Sequence, residues 1–142
     1  MIHYYKFFCS RENLKGIREF VKSVLRNYSL SELEINQMVL AVDEVCANLI
    51  IHSHKCNPGD AIELSIKNSK EGIEFEIIDR DAVYFDLESH KPPDVRQMVR
   101  EGKNGGVGLW LVKQFMDKVE VEYKDTQSTW RLYKDLSLQT RV

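Results

Sequence analysis

Cysteine is scarce and cannot be paired off: Cys9, Cys46 and Cys56 form an odd set with no CxxC spacing. That excludes a disulfide framework and a four-thiolate zinc site built from one chain, and leaves reduced thiols in a cytoplasm as the expectation. Long apolar runs are missing too. Nowhere do about 18 apolar residues follow one another, and the opening MIHYYKFFCSRENLK lacks the charged stretch and apolar core of a signal peptide, so no membrane contact is expected. Nor is there an excess of positive charge. The 20 Lys and Arg are balanced by 22 Asp and Glu and scattered along the chain, which argues against a nucleic-acid partner. Three prolines and seven glycines are too few for a collagen-like or low-complexity chain. What is present is the material of a globule: 142 residues, 43% apolar and 30% charged, without repeat or linker, are expected to form one domain over residues 1–142.

The periodicity predicts the elements. An aromatic and β-branched stretch over residues 2–9 reads as a strand. Ser10 then offers an N-cap ahead of Ile17, Phe20, Val21, Val24, Leu25 and Tyr28 at helical spacing. Ser31 with Glu34 makes a capping box before Ile35, Met38, Val39, Val42, Val45, Cys46 and Leu49, predicting a helix to about residue 54. After the punctuation NPGD at 57–60 the period changes to two. Ile62, Leu64 and Ile66 form one strand, a polar turn follows over 68–72, and Ile73, Phe75 and Ile77 form the next, ended by Asp79 and Asp81. Residues 86–108 are expected to form a mobile loop with at most a short helix. A third helical face follows in Leu109, Val112, Phe115 and Met116, then strands around Val119, Val121, Tyr123 and around Trp130, Leu132, Tyr133. The order β-α-α-β-β-α-β-β predicts an α+β fold: a two-layer α/β sandwich with a mixed, largely antiparallel sheet and helices on one face.

Three features carry chemistry. Glu44, Asn48 and His52 interrupt the apolar text AVDEVCANLIIH at i, i+4 and i+8, so a carboxylate, an amide and an imidazole share one side of a helix. Alone, such a stripe also suits a solvated helix face. Gly102, Gly105, Gly106 and Gly108 crowd into seven residues at the start of a helix, where close backbone approach and free N–H donors suit an anion, with Lys103 as an added cation. A flexible hinge is the alternative. Neither GxxxxGK[ST] nor a βαβ GxGxxG is present. Asp79 sits where an apolar strand runs out, a place for a turn-former or for a carboxylate reading a base amine.

In order, AVDEVCANLIIH, DRDAVYFD and GVGLWLVKQFMD resemble the three boxes of the histidine-kinase-like ATPase superfamily, whose fold is the Bergerat ATP-binding sandwich. The likeness is greatest to the anti-sigma-factor serine-protein kinases of bacterial partner switching, with their AVxEAxxNxxxH, DxGxxFD and GxGLxLxxxxMD patterns. The first and third strings align without gaps; the second is one residue longer. The resemblance implies Glu44 as general base, Asn48 as ligand of the Mg²⁺ that accompanies ATP, and Asp79 as partner of the adenine amine. It implies Gly106, Gly108 and Leu109, with Lys103, at the phosphates, residues 88–105 as a lid, and Thr129 on the last strand near adenine. One departure stands out. Asp81 occupies the glycine position of the second box, within the cofactor-binding set, and brings a Cβ and a negative charge; where φ > 0 is required this costs roughly 1 kcal/mol or more.

The implied function is an ATP-dependent serine/threonine kinase that phosphorylates a small anti-anti-sigma (STAS-type) protein and alternately holds a sigma factor, with a homodimer as a further expectation. The alternative is a nucleotide-independent regulatory binding module of the same fold.

Overall fold

The computed structural model describes residues 2–50, 61–80, 104–124 and 127–136, with residues 104–108 described by their backbone alone. Strand β1 (Ile2–Phe8) leads into a 3₁₀ turn (Arg11–Asn13), whose N-cap Ser10 accepts a hydrogen bond from the Glu12 amide at 3.3 Å. Helix α1 (Leu14–Leu25) buries Ile17, Val21, Val24 and Leu25, one face of a 3.6-residue period. Helix α2 (Glu32–Asn48) begins at the expected capping box. The Glu34 amide donates to Ser31 Oγ at 3.1 Å, and the Ser31 amide donates to Glu34 Oε1 at 3.0 Å. Leu49 and Ile50 continue in a wider, π-type turn.

Strands β2 (Ala61–Asn68) and β3 (Gly72–Asp79) form the expected hairpin. Helix α3 (Asn104–Phe115), β4 (Lys118–Lys124) and β5 (Gln127–Asp135) complete the described order. The sheet runs β1-β2-β3-β5-β4, and every pairing among the described strands is antiparallel, so the parallel part of a mixed sheet is not found there. The loop expected up to residue 108 ends earlier. Asn104, Gly105, Gly106, Val107 and Gly108 already lie in α3. Glycine opposes helix most in the interior of a helix; in the first turn the N–H groups have no intrahelical partner in any case, and the burial of Val112 and Met116 holds the remainder down.

The register sorts the strands into rows. Ile66, Phe75 and Leu132 lie side by side, as do Leu64, Ile77 and Trp130; Ile66, Phe75, Leu132, Leu64 and Ile77 are fully buried. These rows face α1 and α2 in one core, and a side chain such as Phe75 contributes about 1.5–3 kcal/mol by leaving water. The opposite face is polar. Arg131 bridges Glu76 at 3.2 Å and Glu122 at 2.9 Å, and Arg80 meets Glu63 at 2.6 Å. No helix among the described residues is long and apolar enough to cross a membrane. Cys9 and Cys46 are buried thiols that form no disulfide among the described residues; Cys9 Sγ donates to the Ile50 carbonyl at 3.9 Å, and burial pushes the Cys46 thiol well above its ordinary value.

Candidate functional site

The site begins on α2. Seven residues from Ile35 to Cys46 bury its core face, which leaves Glu44 and Asn48, one turn apart, half-buried on the other side. Burial, and then the neighbouring Asp43 carboxylate, hold Glu44 above its ordinary value. Asp43 itself is turned to α1, where Arg18 Nη1 donates to Asp43 Oδ1 at 3.0 Å. A carboxylate whose proton affinity is raised, next to an amide one turn away, is a donor set for moving a proton beside a hard cation.

Helix α3 packs against α2. Its first four N–H groups, those of Asn104 to Val107, have no intrahelical acceptor and carry the positive end of the helix dipole. Gly106 is among them, Gly108 follows within the same turn, and Leu109 is partly buried one residue on. The glycines therefore stand in the helix start itself.

Asp79 closes β3 on the core face, wholly buried. Its cross-strand row reads Phe7, Ile62, Asp79, Ser128, Tyr123. Thr129 was the β5 residue expected near adenine; the register pairs Ser128, not Thr129, with Asp79. Side chains alternate along a strand, so Thr129, paired with Ile78 and Glu122, belongs to the opposite face, where its Oγ1 accepts from Gln127 Nε2 at 3.3 Å. The signal was present in the sequence: Ser128, Trp130 and Leu132 share one parity, and Trp130 and Leu132 already marked the inward face. Ser128 is 1% exposed, and its Oγ has no hydrogen-bond partner among the described residues. The same holds for Trp130 Nε1, two residues on and on the same face. Tyr123, at the end of the row, is raised above its ordinary value by burial and by the charge of Asp79. A carboxylate, an orphaned hydroxyl and an orphaned indole N–H on one face fit a flat ring with polar edges, such as adenine.

Arg80 points to the other face, its Nε on Glu63 Oε2 and its Nη1 donating to Gln127 Oε1 at 3.3 Å. His52, Asp81, residues 88–103 and Lys103 lie outside the described residues. Among the described residues no three His, Cys, Asp or Glu side chains cluster as a metal site of their own.

The family described as histidine kinase-like ATPase domain matches residues 9–134. The chain is 31% identical over 116 residues to the anti-sigma F factor of Heyndrickxia coagulans, covering 80% of this chain and 77% of that protein. It is 26% identical over 110 residues to the serine-protein kinase RsbW of Halalkalibacterium halodurans, covering 75% of this chain and 66% of that protein. Among solved structures, the RsbU and RsbW domains of a Mycobacterium tuberculosis protein superpose with a TM-score of 0.66 at 12% identity, over 94% of this chain and 32% of that one. The SiaB-SiaC complex of Pseudomonas aeruginosa gives a TM-score of 0.61 at 13% identity, over 94% and 89%. At these identities the two structures speak for the fold.

Proposed function

Since the chain belongs to the histidine kinase-like ATPase domain family, we propose that it is an ATP-dependent serine/threonine protein kinase that acts as an anti-sigma factor and phosphorylates a small anti-anti-sigma protein. The observation that carries the nucleotide site is the row on the core face: Asp79 beside Ser128, whose buried Oγ lacks a partner among the described residues, with Trp130 Nε1 in the same condition two residues along. Buried polar groups are nearly always satisfied, so two orphans on one face next to a buried carboxylate mark a place for a ligand.

Each residue has a task in this reading. Asp79 accepts from the exocyclic amine of adenine, while Ser128 and Trp130 offer their hydroxyl and N–H to the ring edge. The first-turn N–H groups of α3, Gly106 among them, hold phosphate oxygens, because glycine brings no Cβ between backbone and anion. Bound ATP supplies the phosphoryl group, and Mg²⁺, held by the Asn48 amide oxygen, offsets its charge. Glu44 takes the proton from the attacking serine or threonine hydroxyl, a task suited to a carboxylate held above its ordinary value. The names of the curated relatives, a serine-protein kinase and an anti-sigma F factor, support the same activity and a sigma factor as second partner.

Calorimetric titration with Mg-ATP, paired with phosphate transfer to a small anti-anti-sigma protein, tests this. Saturable binding is expected in the natural chain and in Glu44→Gln, with transfer lost in the variant by roughly a hundredfold or more. Transfer that survives Glu44→Gln removes Glu44 as the base. A silent titration leaves a regulator that acts by contact alone.

A further inference from the structure

Two acids stand side by side on α2, and they are used differently. Successive residues of a helix point about 100° apart, so Asp43 and Glu44 leave the same turn in different directions. Asp43 is turned to α1, where Arg18 Nη1 lies 3.0 Å from its Oδ1. The Asp43 side chain is 17% exposed and that of Arg18 45%. An ion pair so open to water adds little to stability, so its place next to Glu44 calls for another account. Helix α1 also carries Lys15, Glu19 and Lys22, and among the described residues Arg18 is the one of them that meets Asp43.

We propose that Arg18 and Asp43 act as one positioning unit for the base: Arg18 reaches across from α1, holds the Asp43 carboxylate away from Glu44 and offsets its charge, so that Glu44 meets the attacking hydroxyl without a second uncompensated negative charge on the same turn. This rests on the reading of Glu44 as general base. The surroundings leave Asp43 as the charge to be compensated. The core face of α2 is apolar, and α3, packed against α2, brings the positive end of its dipole at Asn104 to Val107 and Lys113 in its last turn. The reach of the Asp43 charge shows on both sides of it. Burial is the first cause that raises Glu44 and the Cys46 thiol, and Asp43 is the second in both.

A base for a hydroxyl proton has two conditions to meet. It must be ionised when the substrate arrives, and it must still hold the proton it takes. Burial supplies the second condition. An uncompensated Asp43 would add its field to that burial and work against the first, and a guanidinium 3.0 Å from Asp43 cuts this field at its source. Arg18 and Asp43 thus act through Glu44 and are positioning residues.

Titration of the Glu44 carboxyl carbon by NMR in the nucleotide-free full chain tests this, with Glu44→Gln identifying the signal. Arg18→Gln leaves Asp43 uncompensated and should raise the Glu44 midpoint, whereas Asp43→Asn removes the negative charge, leaves Arg18 positive and should lower it, each by about 0.3–0.6 pH unit. Arg18→Lys keeps the charge and should stay within about 0.2 unit of the natural chain. The acid limb of phosphate transfer to a small anti-anti-sigma protein, measured at saturating ATP, should follow: below the natural midpoint Arg18→Gln is slower and Asp43→Asn faster, by roughly two- to fourfold. A brace that only holds the helices together would move both variants the same way. Midpoints that do not move, or that move in one direction in both variants, overturn the proposal. Should Asp43→Asn lose the native far-UV spectrum, Arg18→Gln against Arg18→Lys decides alone, and equal midpoints overturn it. A natural chain that transfers no phosphate removes the base and this inference with it; unmoved midpoints in a chain that does transfer remove the Arg18 and Asp43 unit alone.

Discussion

Replacing Ser128 by alanine should move two measurements in opposite directions. Ser128 Oγ is buried and without a hydrogen-bond partner among the described residues, a condition that costs about 1–2 kcal/mol in the free protein. Ser128→Ala removes the hydroxyl and leaves the β-carbon in place, so the free protein gains most of that amount. For a chain of this length about 1 kcal/mol corresponds to roughly 3–4 °C, and the melting temperature without nucleotide should rise by about 3–6 °C. In the proposed site, bound ATP gives the hydroxyl a partner. Losing one neutral hydrogen bond worth about 0.5–1.5 kcal/mol should weaken ATP by roughly 2- to 12-fold. Thr129→Ala is the control, because Thr129 lies on the opposite face with Gln127 as its partner; ATP affinity should then stay within about twofold. Scanning calorimetry of the free variants and titration with Mg-ATP give both numbers. A lower melting temperature for Ser128→Ala, or a larger loss of affinity from Thr129→Ala, refutes the assignment of the row.

Glu44 gives a pH signature. In the fold its carboxyl binds a proton more readily than in the unfolded chain, so its contribution to stability is present in acid and is lost as pH rises through its raised value. Glu44→Gln should therefore be the more stable protein at neutral pH, with the difference closing in acid; melting curves from pH 4 to 8 that show a constant gap contradict this. Phosphate transfer by the natural chain should fall on acidification at a higher pH than an ordinary glutamate would give, read from a rate profile at saturating ATP. At Gly72, opposite Asp135 in the β3–β5 pair, a Cβ would overlap the carbonyl oxygen of Lys134. Gly72→Ala should cost about 1–3 kcal/mol by overpacking, measured by urea unfolding; an unchanged midpoint would show that the two strands separate there without penalty.

Much of the site lay in local pattern. Ser31 and Glu34 marked the start of α2, and a four-residue step put Glu44 and Asn48 on one side of it, because a helix fixes the angle between residues a turn apart whatever surrounds it. The start of α3 was less legible: three glycines lower helix propensity, and only burial of Val112 and Met116 outweighs that.

The amino-acid order thus decided the elements, their succession, the placing of Glu44 and Asn48 one helical turn apart and the place of Asp79 at the end of β3. Only the folded sheet decided which strands became neighbours. The order β1-β2-β3-β5-β4 sets Ser128 beside Asp79, sends Thr129 to the far side and puts β1 at one end of the sheet among the described residues. Hydrogen-bonded pairing between strands distant in the chain fixes register, and a shift of one residue exchanges every side chain between the two faces.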